Sequence, residues 1–111
     1  MTGVQTCALP ISSSLIYVDW YTWFDMDGLT AVTTIGVNAA TDNGVACCTA
    51  AGNYGYDGDL PTIGAPADAF EVITVGAVDD TGTMADFSSD GPTFDQRDKP
   101  EVVAQIGRAH V

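Results

Sequence analysis

The chain has 111 residues, 15 of them Asp or Glu and 3 of them Lys or Arg, for a formal net charge of −12. Without a basic patch no nucleic-acid partner is expected, because phosphate binding needs clustered Lys and Arg. No apolar run approaches the roughly 18 residues that a membrane-spanning helix requires, so no membrane span is expected either.

The two ends read differently from the middle. Met1–Ile11 (MTGVQTCALPI) and Ile106–Val111 (IGRAHV) resemble translations of a sequencing-library adapter. Back-translating Ile106–Val111 and taking the reverse complement gives, one nucleotide out of frame, codons compatible with Thr6–Ile11. Two reverse-complementary ends fit one adapter flanking a short insert. The expected division is therefore 1–11 adapter-derived, 12–105 natural and 106–111 adapter-derived. The natural segment then lacks Cys7, Arg108 and His110 and has no histidine at all. Nothing in it could act as an imidazole base or imidazole metal ligand. A chain of this size buries only about 60–65% of its unfolded surface, which fits a piece of a domain.

In chain order, Ser12–Tyr17 reads as a short strand. Val18–Gly28 is an aromatic, Asp-rich loop whose Trp20, Tyr21, Trp23 and Phe24 demand burial, expected against protein outside the segment. Asp25 and Asp27 lack the third ligand, the glycine offset and the terminal Glu of an EF-hand. Asp27 is expected to cap the first turn of a helix. That helix spans Leu29–Gly44, with Ala31, Val32, Ile35, Ala39 and Ala40 on one face and Asn43-Gly44 as a left-handed stop. Gly36 weakens it by about 1 kcal/mol relative to Ala, so packing must hold it.

Val45–Ala51 reads as a strand without alternation, which predicts burial on both faces. Cys47 and Cys48 then point to opposite faces. A disulfide between sequence neighbours is strained, and the spacing matches no zinc motif. They read as two small buried hydrophobes. Strand, helix and parallel strand imply a right-handed crossover. Gly52–Phe70 is a long loop of the kind that is usually functional or disordered. Glu71–Val78 is a second buried strand, Asp79–Thr83 a turn, Met84–Pro92 an exposed strand or hairpin, and Lys99–Ala104 a further strand. Most of the aspartates sit beside Gly, Thr or Pro and read as solvated turns. The fold class is α/β with buried parallel strands.

On local grounds Asn53, in a Gly-Asn corner, is a turn residue. Its position allows a second reading. Ligands in open α/β sheets sit just outside the carboxyl ends of strands. Asn53 follows such an end, and a neutral amide there could donate to a developing oxyanion.

The strings TAAGN (Thr49–Asn53), PTIGAPADAFEVITVGAVDDTGTMADFSSDGPT (Pro61–Thr93) and KPEVVA (Lys99–Ala104), in this order, closely resemble the subtilisin-like serine proteases, the subtilases. The likeness runs from about Ser12 to Ala104. It implies a three-layer α/β fold with a central parallel sheet, and a serine endopeptidase working by a Ser-His-Asp triad on peptide or protein substrates. It also implies a secreted or extracytoplasmic parent protein. Carried over, Asn53 matches the oxyanion-hole asparagine. Ser14, Leu15 and Ile16 match the edge segment that pairs with an extended substrate. Ala50, Ala51 and Gly52 match one wall of the primary specificity pocket and Gly64 its floor, suited to a large apolar side chain. No cofactor is required, although the family often binds structural calcium near the loop after the pocket, which directs suspicion to Asp57, Asp59 and Asp68.

There are departures. Ile16 stands where the family usually has Gly, and Gln96 replaces a Gly in a turn, expected to be harmless. Gln105 stands where a Pro-Gly would begin. The family's Asp and His motifs are expected upstream and its Ser motif downstream, so this chain alone is expected to be inactive. Two other readings stay open: a catalytically dead relative serving as a peptide-binding or scaffold domain, and an α/β module whose acidic loops bind calcium.

Overall fold

Val32–Asp42, eleven residues free of proline, form an α-helix, α1. The computed structural model describes residues 21–106, so the strand expected at Ser12–Tyr17 and Trp20 lie outside the described residues. α1 ends as expected. The Asn43 N–H donates to the carbonyls of Ala39 and Ala40, its side-chain amide donates to the Ala39 carbonyl at 2.7 Å, and Gly44 takes φ +90°. A residue with a Cβ is disfavoured at that angle.

The face that α1 buries differs from the expected one. Val32 is 69% and Ile35 51% exposed, whereas Ala31 and Thr34 are fully buried. The helix docks largely through polar groups. Thr34 Oγ1 donates to Asp68 Oδ1 at 2.6 Å; Asn38 donates to the Gly28 carbonyl at 2.7 Å and accepts the Phe70 N–H at 3.1 Å. Counting apolar residues misses such a face, because buried polar atoms with partners satisfy burial as well as methyl groups do. The apolar share comes from Val37 and Ala40, which pack on Cys47, Ala69 and Val72.

Asp27 does not cap α1. Ala31 holds that position without a side-chain bond. Asp27 closes the preceding turn instead, accepting the N–H groups of Leu29 at 2.9 Å and Thr30 at 3.0 Å.

Three strands, β1 (Cys48–Ala50), β2 (Ile73–Val78) and β3 (Val102–Gln105), form a parallel sheet in the order β1-β2-β3. Val75 lies between Ala50 and Val102. Parallel neighbours cannot be joined by a tight turn. The long loop therefore runs from β1 to β2, and the 79–101 segment from β2 to β3. This is the α/β class with a central parallel sheet that the sequence predicts.

Burial on both faces is not found for these strands among the described residues. Cys47, Thr49 and Ala51 are buried, but Ala50 and Ile73 on the other face are exposed and Cys48 is half-buried. α1 and the 65–70 turn cover one face only.

Part of the aromatic loop packs on its own chain, while Phe24 stays exposed. Trp23 meets Phe94 edge-on at 5.3 Å, and its indole N–H donates to the Pro92 carbonyl at 2.9 Å. Tyr21 and Trp23 lie against the core of Met26, Ala31, Ala51, Ile63, Ala65 and Ala67. Downstream of β2, an antiparallel bridge between Val78 and Met84 closes the turn expected at Asp79–Thr83. The exposed strand or hairpin expected at Met84–Pro92 is not found among the described residues: only Met84 bridges, and Ser88 and Ser89 are buried because they bond back to β2 and to the 52–54 corner.

Lys99 is buried to 3% side-chain exposure and connects β2 to β3. Its ammonium donates to the Val72 carbonyl at 3.0 Å and to both Glu101 oxygens, at 3.0 and 2.7 Å. All three of its N–H bonds have acceptors, the condition for burying an ammonium.

Gln96 occupies the expected turn, but the site is not neutral to side chain. Its φ is +68°, the left-handed region that disfavours a Cβ. Gln96→Gly is expected to raise stability by about 0.5–1 kcal/mol, relief of strain exceeding the added chain entropy of glycine. A urea midpoint unchanged or lowered in this variant would contradict that account.

Candidate active site

The corner at the carboxyl end of β1 is built almost entirely from backbone bonds. The Ala51 N–H donates to the Val75 carbonyl at 2.9 Å, and the Gly64 N–H donates to the Ala51 carbonyl at 3.1 Å. The chain then turns at Gly52, whose carbonyl accepts the Ser89 N–H at 3.0 Å. The Tyr54 N–H donates to Ser89 Oγ at 2.9 Å, and the Gly55 N–H to the Phe87 carbonyl at 2.9 Å. Gly55 has φ +67°, and a Cβ there would lie 2.7 Å from the Asp86 carbonyl oxygen. Only glycine lets the 52–55 and 86–89 segments approach so closely.

Asn53 sits at the apex of this corner. It is exposed, and among the described residues none hydrogen-bonds its side chain. The turn reading and the donor reading of Asn53 thus concern the same place: a bend whose backbone is hydrogen-bonded and whose side chain is exposed. A carboxamide offers two N–H donors and no charge.

Thr62 ties the next segment in. Its N–H and that of Ile63 donate to the Asp90 carbonyl, both at 2.9 Å, and its hydroxyl is bonded to the Gly55 carbonyl. Beside it opens an apolar hollow of about 200 Å³, lined among others by Tyr21, Trp23, Met26, Tyr54, Ile63 and Gly64. That is smaller than the roughly 300–1,000 Å³ of pockets for drug-sized ligands.

Of the pocket residues expected from the sequence, Gly64 lines this hollow. Ala51 and Gly52 are buried beneath the corner, and Ala50 is exposed on the sheet; none of these three lines it. Ser14, Leu15 and Ile16 lie outside the described residues. The bonds from Ser89 to this corner have no signal in the spacing of the sequence. The sequence reading missed Trp23 and Met26 as lining, although the aromatic loop's demand for burial pointed there.

The turn after Gly64 is clamped from both sides. Asp68 is fully buried and accepts from Thr34 at 2.6 Å and from the Gly28 N–H at 2.9 Å. Burial pushes its carboxyl above the ordinary value near 3.8, against the opposing pull of the Thr34 and Gly28 bonds and of Arg97. The Arg97 guanidinium donates to the carbonyls of Asp68 at 2.7 Å and Ala69 at 3.3 Å, pairs with Asp95 at 2.8 Å, and lies 4.4 Å over the Phe70 ring.

The side chains of Asp57, Asp59 and Asp68 do not converge. The first two are exposed on the 56–60 loop, while the Asp68 carboxylate is turned inward onto Thr34 and Gly28. Among the described residues no three His, Cys, Asp or Glu side chains converge. No described helix is long and apolar enough to cross a membrane.

Comparison with known proteins gives concordant findings. A profile described as the Subtilase family matches residues 20–108. The chain is 43% identical over 75 residues to Serine protease AprX of Bacillus subtilis (strain 168), covering 61% of this chain and 16% of that protein. To Subtilisin E of the same organism it is 41% identical over 68 residues, covering 61% and 18%. To Subtilisin-like protease 2 of Pseudogymnoascus destructans it is 48% identical over 59 residues, covering 53% and 14%. The chain thus spans less than a fifth of the length of these relatives.

Proposed function

From the premise that the chain belongs to the subtilase family, we propose that residues 12–105 are an internal segment of a secreted serine endopeptidase's catalytic domain. In this reading the segment carries the oxyanion donor Asn53 and part of the specificity pocket, and the two ends are adapter-derived. The observation that supports it best is the exposed Asn53 amide on an immobilised corner at the carboxyl end of β1.

The chemistry follows from that placement. A serine hydroxyl, deprotonated by a histidine that an aspartate orients, attacks the scissile carbonyl. The carbonyl oxygen becomes an oxyanion as the tetrahedral intermediate forms. The Asn53 Nδ2–H donates to that oxygen and lowers the barrier, most effectively where water is excluded. Gly64 leaves room in the apolar hollow for the substrate side chain next to the scissile bond. Ser14–Ile16, by the family resemblance, are the segment that would take the extended substrate backbone. The nucleophile, base and orienting acid belong to segments beyond 12–105.

Recovery of the full-length gene tests this directly. It is expected to encode Asp and His motifs upstream and a Gly-Thr-Ser motif downstream. The full-length protein should be labelled by a serine-directed fluorophosphonate, and the 111-residue chain should not. A full-length protein that has the fold and binds peptide, yet escapes labelling, would instead establish a catalytically dead relative.

A further inference from the structure

We infer that Ser89 is a positioning residue for the Asn53 amide, an inference that rests on the oxyanion reading of Asn53. Two peptide planes meet at the Asn53 Cα. The first contains the Gly52 carbonyl, which accepts the Ser89 N–H at 3.0 Å. The second contains the Tyr54 N–H, which donates to Ser89 Oγ at 2.9 Å. Because each peptide unit is planar, holding both planes holds φ and ψ of Asn53. The direction of its Cα–Cβ bond is then set by one residue.

Ser89 is suited to this. It is fully buried, so its hydroxyl does not exchange the Tyr54 N–H for water. Its neighbour anchors it: Ser88 Oγ accepts the Ala77 N–H at 3.0 Å, and the Ser88 N–H donates to the Ala85 carbonyl at 3.0 Å. Ala77 belongs to β2, so the brace ties the corner to the centre of the sheet. The two serines divide the work, one hydroxyl facing the sheet and the other facing the corner. An electrostatic donor is effective only if it needs no reorganisation when charge develops, and a misplacement of about 1 Å can cost about 10² in rate. A brace on both planes of Asn53 supplies that condition.

The test uses the full-length enzyme and a peptide p-nitroanilide with an apolar residue before the scissile bond. Ser89→Ala keeps the backbone bond to Gly52 and removes the acceptor for the Tyr54 N–H. The expected result is a fall in kcat of about tenfold to a hundredfold with KM within a factor of two. In an Asn53→Ala background the same change should leave kcat within a factor of two, because no amide remains to be aimed. Ser89→Thr, which keeps the hydroxyl, should restore most of the lost kcat. Rates are normalised to active sites titrated with a fluorophosphonate, which separates slow turnover from loss of folded protein. An equal loss of kcat in both backgrounds, or none in the single variant, overturns the role of Ser89. If Asn53→Ala alone leaves kcat unchanged, the oxyanion reading fails, and the inference built on it fails with it.

Discussion

Replacing Asn53 by alanine in the full-length enzyme is expected to lower kcat by about 10²–10³, or roughly 3–4 kcal/mol, while KM changes by less than a factor of two. The magnitude is carried over from the family's own oxyanion-hole asparagine. Its direction follows from the corner. The Asn53 side chain is exposed and contributes little to packing, so its removal should leave the fold intact. The backbone bonds that shape the bend belong to Gly52, Tyr54 and Gly55 and survive the substitution. What is lost is a donor whose partner exists only once the carbonyl oxygen carries charge. Such a loss appears in kcat and kcat/KM together and spares ground-state binding. Asn53→Asp sharpens the test. It keeps size and shape but places a carboxylate where the oxyanion forms, so it should be at least as damaging as alanine. A variant of either kind with unchanged kcat would return Asn53 to the role of a turn residue.

The sequence made the sheet legible and the docking of the helix illegible, for physical reasons. β2 and β3 are short, β-branched-rich, mainly apolar segments, too short for helices, and such segments read as strands. Asn43-Gly44 marked the end of α1 because few other pairs satisfy a left-handed stop. The face of α1 could not be read from hydrophobic period, since Thr34 and Asn38 are polar in sequence and occupied in structure by Asp68, Gly28 and Phe70. Those partners lie 10 to 34 residues away. Long-range polar matching of this kind leaves no periodic trace. The same holds at the site. The position of Asn53 after a strand end was visible, but the Ser89 brace joins residues 35 apart. The aromatic loop shows the intermediate case. Its need for burial was evident, while the partner that meets it, Phe94, follows a different strand and gives no local hint.

Asp68 is where the second large effect is expected, and it concerns stability. Asp68→Ala should destabilise the domain by about 3 kcal/mol, because it leaves two buried donors, the Thr34 hydroxyl and the Gly28 N–H, without an acceptor. Gly28 cannot adjust easily. Its φ is +80°, and a Cβ there would lie 2.7 Å from the Phe70 ring and 2.8 Å from the Arg97 guanidinium. Asp68→Asn should cost far less, about 1 kcal/mol or under, since one amide oxygen can accept from Gly28 while the amide N–H donates to Thr34 Oγ1. The pH dependence separates the two substitutions further. Burial, the largest influence, holds the Asp68 carboxyl above 3.8, so the folded state binds its proton more tightly than the unfolded chain does. Stability from this group is therefore fully present below 3.8 and is lost as pH rises through the raised folded value. Asp79 acts in the opposite sense: the Thr81 hydroxyl and the Thr83 N–H hold it below 3.8, and its contribution is present above that value and fades as pH falls. Subtracting the urea-denaturation profile of Asp68→Asn from that of the unmodified protein cancels Asp79 and isolates Asp68. The difference should fall as pH climbs from below 4 toward neutrality. A flat or rising difference would mean that the folded state does not hold the carboxyl above 3.8, with Arg97 and the two donors matching or outweighing its burial.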